Sequence, residues 1–248
     1  MKGKMRHDLY AELYQIEDHH WWHQHKRLVV KQFIDKFAKK GKALDVGAGT
    51  GKMLAELSDD GWDTLGLDGE RNAVKWSHRR GMVVKQIDLE TDKFPFPDNY
   101  FEAVLALDVL EHLRNESFVL TEIRRVLKPK GIVIITVPAY QWLFNYWDKM
   151  LGHQRRYSIN IFKRKIKEHT FQVVYISYFC ALFLPPAILV RLFKQLFGEK
   201  RKAVSDFQTT PLAPLSMPFL NLYARFERWL LKMTTLPFGL SIIGIARK

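Results

Sequence analysis

Two groups of residues in this chain have the types and spacing for chemistry. The first is Asp45-Val46-Gly47-Ala48-Gly49-Thr50-Gly51, an acid followed by three glycines at alternate positions. Glycine is required where the backbone turns with positive φ, or where a ligand packs directly on the main chain. The second group follows the last long apolar run of the first half. It holds Tyr140 and Trp142, then His153, Arg155, Arg156 and Tyr157. Paired arginines suit a carboxylate or phosphate. His153 and Tyr157, with the more distant His112, are the candidates for a general base.

These residues need elements to position them. The run Lys42 to Val46 reads as a strand, and Lys52-Met53-Leu54-Ala55-Glu56-Leu57 has helical spacing. A strand, glycine turn and helix in that order aim free N–H groups and a positive dipole end at whatever sits on the turn. Dinucleotide sites use a similar turn spaced G-x-G-x-x-G. Here the third glycine, Gly51, comes one position early, and Lys52 stands where that pattern has glycine.

Further strands are expected at 62–68, 82–88, 102–108 and 132–137, three of them ending in an acid: Asp68, Asp88 and Asp108. Helices are expected over 70–80 and 116–127, with Lys128-Pro129-Lys130-Gly131 as the stop before the fifth strand. Alternating strands and helices imply parallel βαβ units with right-handed crossovers. Asp68, at the carboxyl end of the second strand, suits ribose hydroxyls.

The totals narrow the class. The chain has 248 residues, 47% hydrophobic, enough for one large domain with a small appendage. A single cysteine, Cys180, fits a reducing compartment, and 1–25 lacks the apolar stretch of a signal peptide. A cytoplasmic location is expected. The formal charge of +13 suggests an anionic partner, whether nucleic acid, a phosphorylated molecule or an acidic membrane surface.

The pieces LDVGAGTG, Asp68, Ile87-Asp88-Leu89, FPFPDNYFEAVLALDVLEHL and RRVLKPKGIVIITVP resemble, in this order over about residues 42–138, the class I S-adenosylmethionine (SAM) methyltransferases. The last two pieces resemble the small-molecule, type-11-like branch that includes ubiquinone- and menaquinone-pathway enzymes. The HWW stretch and GHxRRY loop resemble a bacterial and archaeal group within it. The resemblance implies a doubly wound α/β, Rossmann-like sheet of seven strands in the order 3-2-1-4-5-7-6. It implies SAM as cofactor and S-adenosylhomocysteine as product. Asp45, Gly47, Ala48, Gly49 and Gly51 would hold the methionine end, Asp68 and Gly69 the ribose, and Asp88 and Leu89 the adenine. Leu107 and Asp108 would line the pocket floor. Lys130 stands where that branch usually has glycine, which reads as a loop change without consequence for the chemistry.

Two appendages flank this core of 41–179 and 241–248. Residues 1–40 read as a helical lid. Its histidines 19, 20, 23 and 25 do not put three ligands on one helical face, so no metal is expected. Residues 180–240 interrupt the last two strands with apolar helices, one expected over 217–233 with Phe219, Tyr223, Phe226, Leu230 and Met233 on one face. With Lys200-Arg201-Lys202 nearby, this insertion reads equally as a flap, a dimer contact or an interfacial anchor on an anionic membrane. The broken apolar run 178–190 is too short to span a bilayer.

The expected function is methyl transfer to the oxygen or nitrogen of a small acceptor, anionic or lipid-linked. Two other readings stay open. An RNA methyltransferase would use the net charge, but Asp108-Val109-Leu110-Glu111 replaces the N/D-P-P-Y-type tetrapeptide, which makes nucleic acid unlikely. A non-catalytic, membrane-associated protein of the same fold would have lost the cofactor. The sequence does not choose between monomer and dimer.

Overall fold

A computed structural model describes residues 7–189 and 213–248. Its frame is a sheet of β1 (Lys42–Val46), β2 (Asp63–Asp68), β3 (Val84–Gln86), β4 (Phe101–Leu107), β5 (Leu127–Pro138), β6 (Gln172–Phe179) and β7 (Ser241–Arg247). The spatial order is β3-β2-β1-β4-β5-β7-β6, as expected. The pairs from β3 to β5 are parallel, while β7 runs antiparallel to both β5 and β6.

The central strands are apolar throughout because both faces are covered. Val104 and Ala106 of β4, with Val133 and Ile135 of β5, face α5 (Glu116–Val126) and α7 (Ile159–Glu168). Ala103, Leu105, Ile132 and Ile134 point the other way. There they meet α2 (Trp21–Phe37), α3 (Lys52–Asp59) and α8 (Ala213–Met233). The remaining helices are α1 (His7–Ile16), α4 (Arg71–Arg79) and α6 (Tyr146–Met150). Ser158 caps α7 by accepting from the Ile161 amide, as its position predicts.

Three expectations change. The helical stretch 7–40 is two helices, broken at Glu17–His20, where His20 turns extended. The expected stop at 128–131 lies inside β5, as a bulge: Leu127 pairs with Phe101 and Ile132 with Ala103. Lys130 sits in that bulge with φ of 66°. Finally, the lid and the insertion are not separate appendages. Trp21 of α2 stacks on Phe183 at 4.3 Å, and His25 Nε2 meets Glu227 of α8 at 2.6 Å. Glu227 also accepts from the amides of Cys180 and Ala181 and from the Tyr223 hydroxyl. This buried polar knot ties α2, α8 and the end of β6 into one cap.

Candidate active site

The site lies where the strand order reverses, between β1 and β4, at their carboxyl ends. The glycine turn is bolted to β2: the Gly47 and Ala48 amides donate to Leu67 O at 2.8 and 3.0 Å. Asp68 closes the join. Its Oδ2 accepts from Gly49 N and its Oδ1 from Glu70 N, both at 2.8 Å.

The three glycines do different work. All have positive φ. A Cβ on Gly47 would strike Val109 at 2.5 Å, and one on Gly51 would meet Ser77 at 2.9 Å, so these two are packing positions. A Cβ on Gly49 would meet nothing within 4 Å, so the middle of the turn is open to a ligand. Nearby, Asp45 is buried with Oδ1 lacking a hydrogen-bond partner. Burial, and then the charge of Asp68, push its carboxyl up to about 8. Burial also pushes Asp68 up, to about 6, against the backbone amides that hold it down. A buried, unsatisfied carboxyl beside an open glycine cradle fits the cationic amino end of SAM, and the residues present suit that group. Asp88 and Leu89 lie further along, where the Asp88 carboxylate accepts from Glu90 N at 2.9 Å and Leu89 is buried.

The lid is fastened over this turn. Glu17 accepts from Thr50 Oγ1 and from Arg80 Nη2, the latter at 2.6 Å. Lys52 pairs with Asp18 at 2.8 Å. On the other side of the site, Lys26 of α2 donates to Asp108 Oδ2 at 2.6 Å. None of these lid contacts follows from a motif; each needs α1 and α2 folded onto the turn.

Asp108, at the end of β4, has φ of 54°, a strained value for a residue with a side chain. Thr136 holds it there: its hydroxyl donates to Asp108 Oδ1 at 2.8 Å while the Asp108 amide donates to Thr136 O at 3.0 Å. Burial opposes ionisation, but Lys26 and Thr136 outweigh it and keep the carboxyl low. Leu107, also expected on the pocket floor, packs against the cluster on the α2 side of the sheet.

Beyond Asp108 the structure brings together His112 and His153, their rings edge to face at 4.7 Å. Burial, and then His153, push His112 down to about 4, so it is neutral at physiological pH. His153 Nδ1 lies 2.9 Å from Asp148 Oδ1. Glu111, next to His112, is fully buried, and neither of its carboxylate oxygens has a hydrogen-bond partner.

Three expected roles do not survive. Tyr157 is buried, and its hydroxyl donates to Glu116 Oε2 at 2.5 Å. Burial and that carboxylate drive its phenol far up, so it is no base. Arg155 is committed to Glu116 at 3.0 Å. Arg156 binds Asp148 at 2.6 Å and Ala139 O at 3.2 Å. Both arginines serve buried acids rather than offering a clamp. Of the aromatic pair, Trp142 is exposed, while Tyr140 stacks on Tyr178 at 5.2 Å with φ of 62°.

The sheet order and the place of this site are those of the Rossmann-like methyltransferase fold. Residues 44–135 match the family model described as a methyltransferase domain. A 109-residue stretch is 31% identical to the ubiquinone/menaquinone biosynthesis C-methyltransferase UbiE of Burkholderia mallei, covering 41% of this chain. This chain spans 45% of the length of that relative. Among solved structures, a SAM-dependent methyltransferase from Archaeoglobus fulgidus matches 90% of this chain and 92% of its own, with TM-score 0.60 and 18% identity. Phosphoethanolamine N-methyltransferase 2 of Haemonchus contortus, in complex with SAM, matches 90% of this chain and 52% of its own, with TM-score 0.59 and 16% identity. At such identities the structures speak for the fold.

Proposed function

We propose that this protein transfers the methyl group of SAM to a small, lipid-linked acceptor, at oxygen or nitrogen. The acceptor's lone pair takes the methyl carbon, the S–C electrons stay on sulfur, and the acceptor gives up a proton. Asp45 and the turn at Gly49 would hold the methionine end, Asp68 and Gly69 the ribose, and Asp88 and Leu89 the adenine. The half-buried His112 and His153 would face the acceptor, with water kept out by α2 and its Lys26–Asp108 bridge. The anionic part of the acceptor loses its support, since Arg155 and Arg156 are spoken for.

The observation that carries the lipid-linked reading is the outer face of α8. Phe219, Leu222, Phe226, Trp229 and Met233 recur at helical spacing and are all more than half exposed, Phe219 at 76%. The inner face of the same helix is a different set, Ala224, Glu227 and Leu231, which are buried. Tyr223 joins the inner set through Glu227, so the single face expected from sequence is two faces. Arg225 and Lys232 are exposed on the same helix. An aromatic stripe with basic residues suits an anionic bilayer surface, approached from the cytoplasm. Among the described residues no helix is long and apolar enough to cross a membrane. The basic Lys200-Arg201-Lys202 and most of the apolar run 183–197 lie outside the described residues. A second reading, methylation at carbon, is favoured by the name of the UbiE relative.

Methyl-labelled SAM, purified protein and a cell lipid extract should move label into the organic phase. Co-sedimentation with phosphatidylglycerol vesicles should accompany it and weaken at high salt. Label entering RNA instead, with affinity falling steeply with salt, would replace this reading.

A further inference from the structure

The sequence offers no metal site at the four histidines of the lid, and the fold assembles a different one. Glu111, His112 and His153 each present a ligand atom within 4.8 Å of the other two. We propose that these three residues bind one divalent transition-metal ion, which holds the acceptor through an oxygen beside the methyl donor.

Four observations carry this. The first is the unsatisfied carboxylate. Glu111 is fully buried and both its oxygens lack partners, whereas Asp108 and Asp148 beside it are engaged by Lys26 and Arg156. Buried polar groups are normally hydrogen-bonded, so this one points to a missing partner. The second is charge. Asp108 is matched by Lys26 at 2.6 Å and Asp148 by Arg156 at 2.6 Å. That leaves Glu111 as the acid of the group without an ion-pair partner.

The third is how the histidines are held. His153 spends Nδ1 on Asp148 at 2.9 Å, which leaves Nε2 for an ion. His112 is set edge to face against the His153 ring at 4.7 Å. A carboxylate behind a ligating imidazole, as Asp148 stands behind His153, is how metal sites fix the tautomer and aim the ring. The fourth is reach. Ligand atoms around a zinc-sized ion sit roughly 3.3 Å apart, so side-chain rotations alone would close this set. The backbone already ties its halves together, since the Gln154 amide donates to Glu111 O at 2.6 Å.

Two imidazoles and one carboxylate select zinc, manganese, cobalt or iron(II) over magnesium, and leave positions open for an acceptor oxygen. An ion there would lower the pKa of a bound hydroxyl, a task for which no other described base is placed. The other cluster of metal-ligand types, His25, Cys180 and Glu227, differs on the decisive point: its carboxylate is filled by four protein donors.

The choice of an oxygen acceptor rests on the methyl-transfer reading; metal binding does not, and the test separates them. Protein stripped with chelator is titrated calorimetrically with manganese, cobalt or zinc chloride, and separately with SAM. One ion per chain at micromolar affinity or tighter is expected. Glu111→Gln and His153→Asn should each weaken it at least thirtyfold while SAM affinity stays within threefold, which shows the variants folded. Cobalt should give a visible ligand-field spectrum that disappears in both variants. The double change His20→Asn with His23→Asn should leave the ion bound. Absence of binding at millimolar metal overturns the proposal, and so does binding lost in the lid double variant but kept in Glu111→Gln. Wild-type protein that binds the ion and not SAM would sink the methyltransferase reading and leave the metal site standing.

Discussion

The two ends of the site are built in opposite ways. The end proposed for SAM is largely backbone: Asp45, the turn through Gly51, and Asp68 one strand away. Its polar contacts are main-chain amides on a carboxylate, and Gly49 leaves space above it. The end proposed for the acceptor is made of side chains from distant segments: Asp108 and Glu111 after β4, Asp148 on α6, His153 and Arg156 beyond it, and Lys26 from the lid. There almost every charge is matched by another. Backbone sites tolerate little change at a glycine but are indifferent to many side chains, while a paired side-chain network fails when any partner is removed.

The largest effect should fall on the backbone end. Gly49→Val forces a β-branched residue into φ of 56° and fills the open space over the turn. SAM affinity should drop by about 1,000-fold or more, roughly 4 kcal/mol, as read by calorimetry. Affinity within tenfold of wild type would mean that the cofactor does not sit on this turn.

At the acceptor end the corresponding experiment is Arg156→Ala. It strands Asp148, which is buried and holds both His153 and the Asn145 amide. Removing one partner of a buried pair costs about 3–5 kcal/mol, and solvent access at Arg156 brings this to about 2–4 kcal/mol of stability. Chemical denaturation should report that loss with SAM affinity little changed in the surviving folded protein. A rise in acceptor KM with stability intact would restore the arginine as a substrate clamp.

The contrast also explains what could be read from the sequence. Gly49 and Asp68 stood out because a turn and a strand end place them through local geometry, while the sheet order and the part given to Asp45 came from the resemblance to SAM methyltransferases. Lys26, Glu17 and Glu111 did not stand out. Their roles come from the lid folding back and from His153 arriving 41 positions after His112, and no spacing rule encodes that. Arg155 and Arg156 were misread for the same reason: the pattern showed two cations, and their acids, Glu116 and Asp148, lie elsewhere in the chain. The two-faced α8 was half legible. Its outer stripe has helical spacing, but Tyr223 belongs to the inner face because Glu227 holds it.

A more gradual effect separates the two ends by pH. The Asp45 carboxyl is raised from 3.8 to about 8 by burial and by Asp68, with Lys26 opposing. For an acid whose folded value lies above its unfolded one, the stabilising contribution is complete below the unfolded value and is lost as pH climbs through the folded one. The SAM-free protein should therefore lose stability between about pH 4 and 8 on this account, by up to about 5 kcal/mol for a shift of this size. Asp45→Asn should flatten that slope in thermal melts and weaken SAM binding together. An unchanged slope would show that Asp45 is already ionised and partnered in the free protein.

The smallest expected effect lies outside both ends and calibrates them. Lys130 is exposed in the β5 bulge with φ of 66°, a conformation that costs an L-residue roughly 1 kcal/mol and glycine almost nothing. Against this, glycine adds entropy to the unfolded chain, which takes back part of the gain. The balance should leave Lys130→Gly more stable by about 0.5 kcal/mol, a shift in denaturation midpoint without a change in slope. SAM affinity should not move, because the bulge sits at the start of β5 and the cofactor end of that strand is Thr136 to Pro138. If the glycine variant is instead less stable, the lysine side chain makes a contact in solution that outweighs its backbone strain. The same caution would then extend to Asp108, whose φ of 54° is held by Thr136 and Lys26.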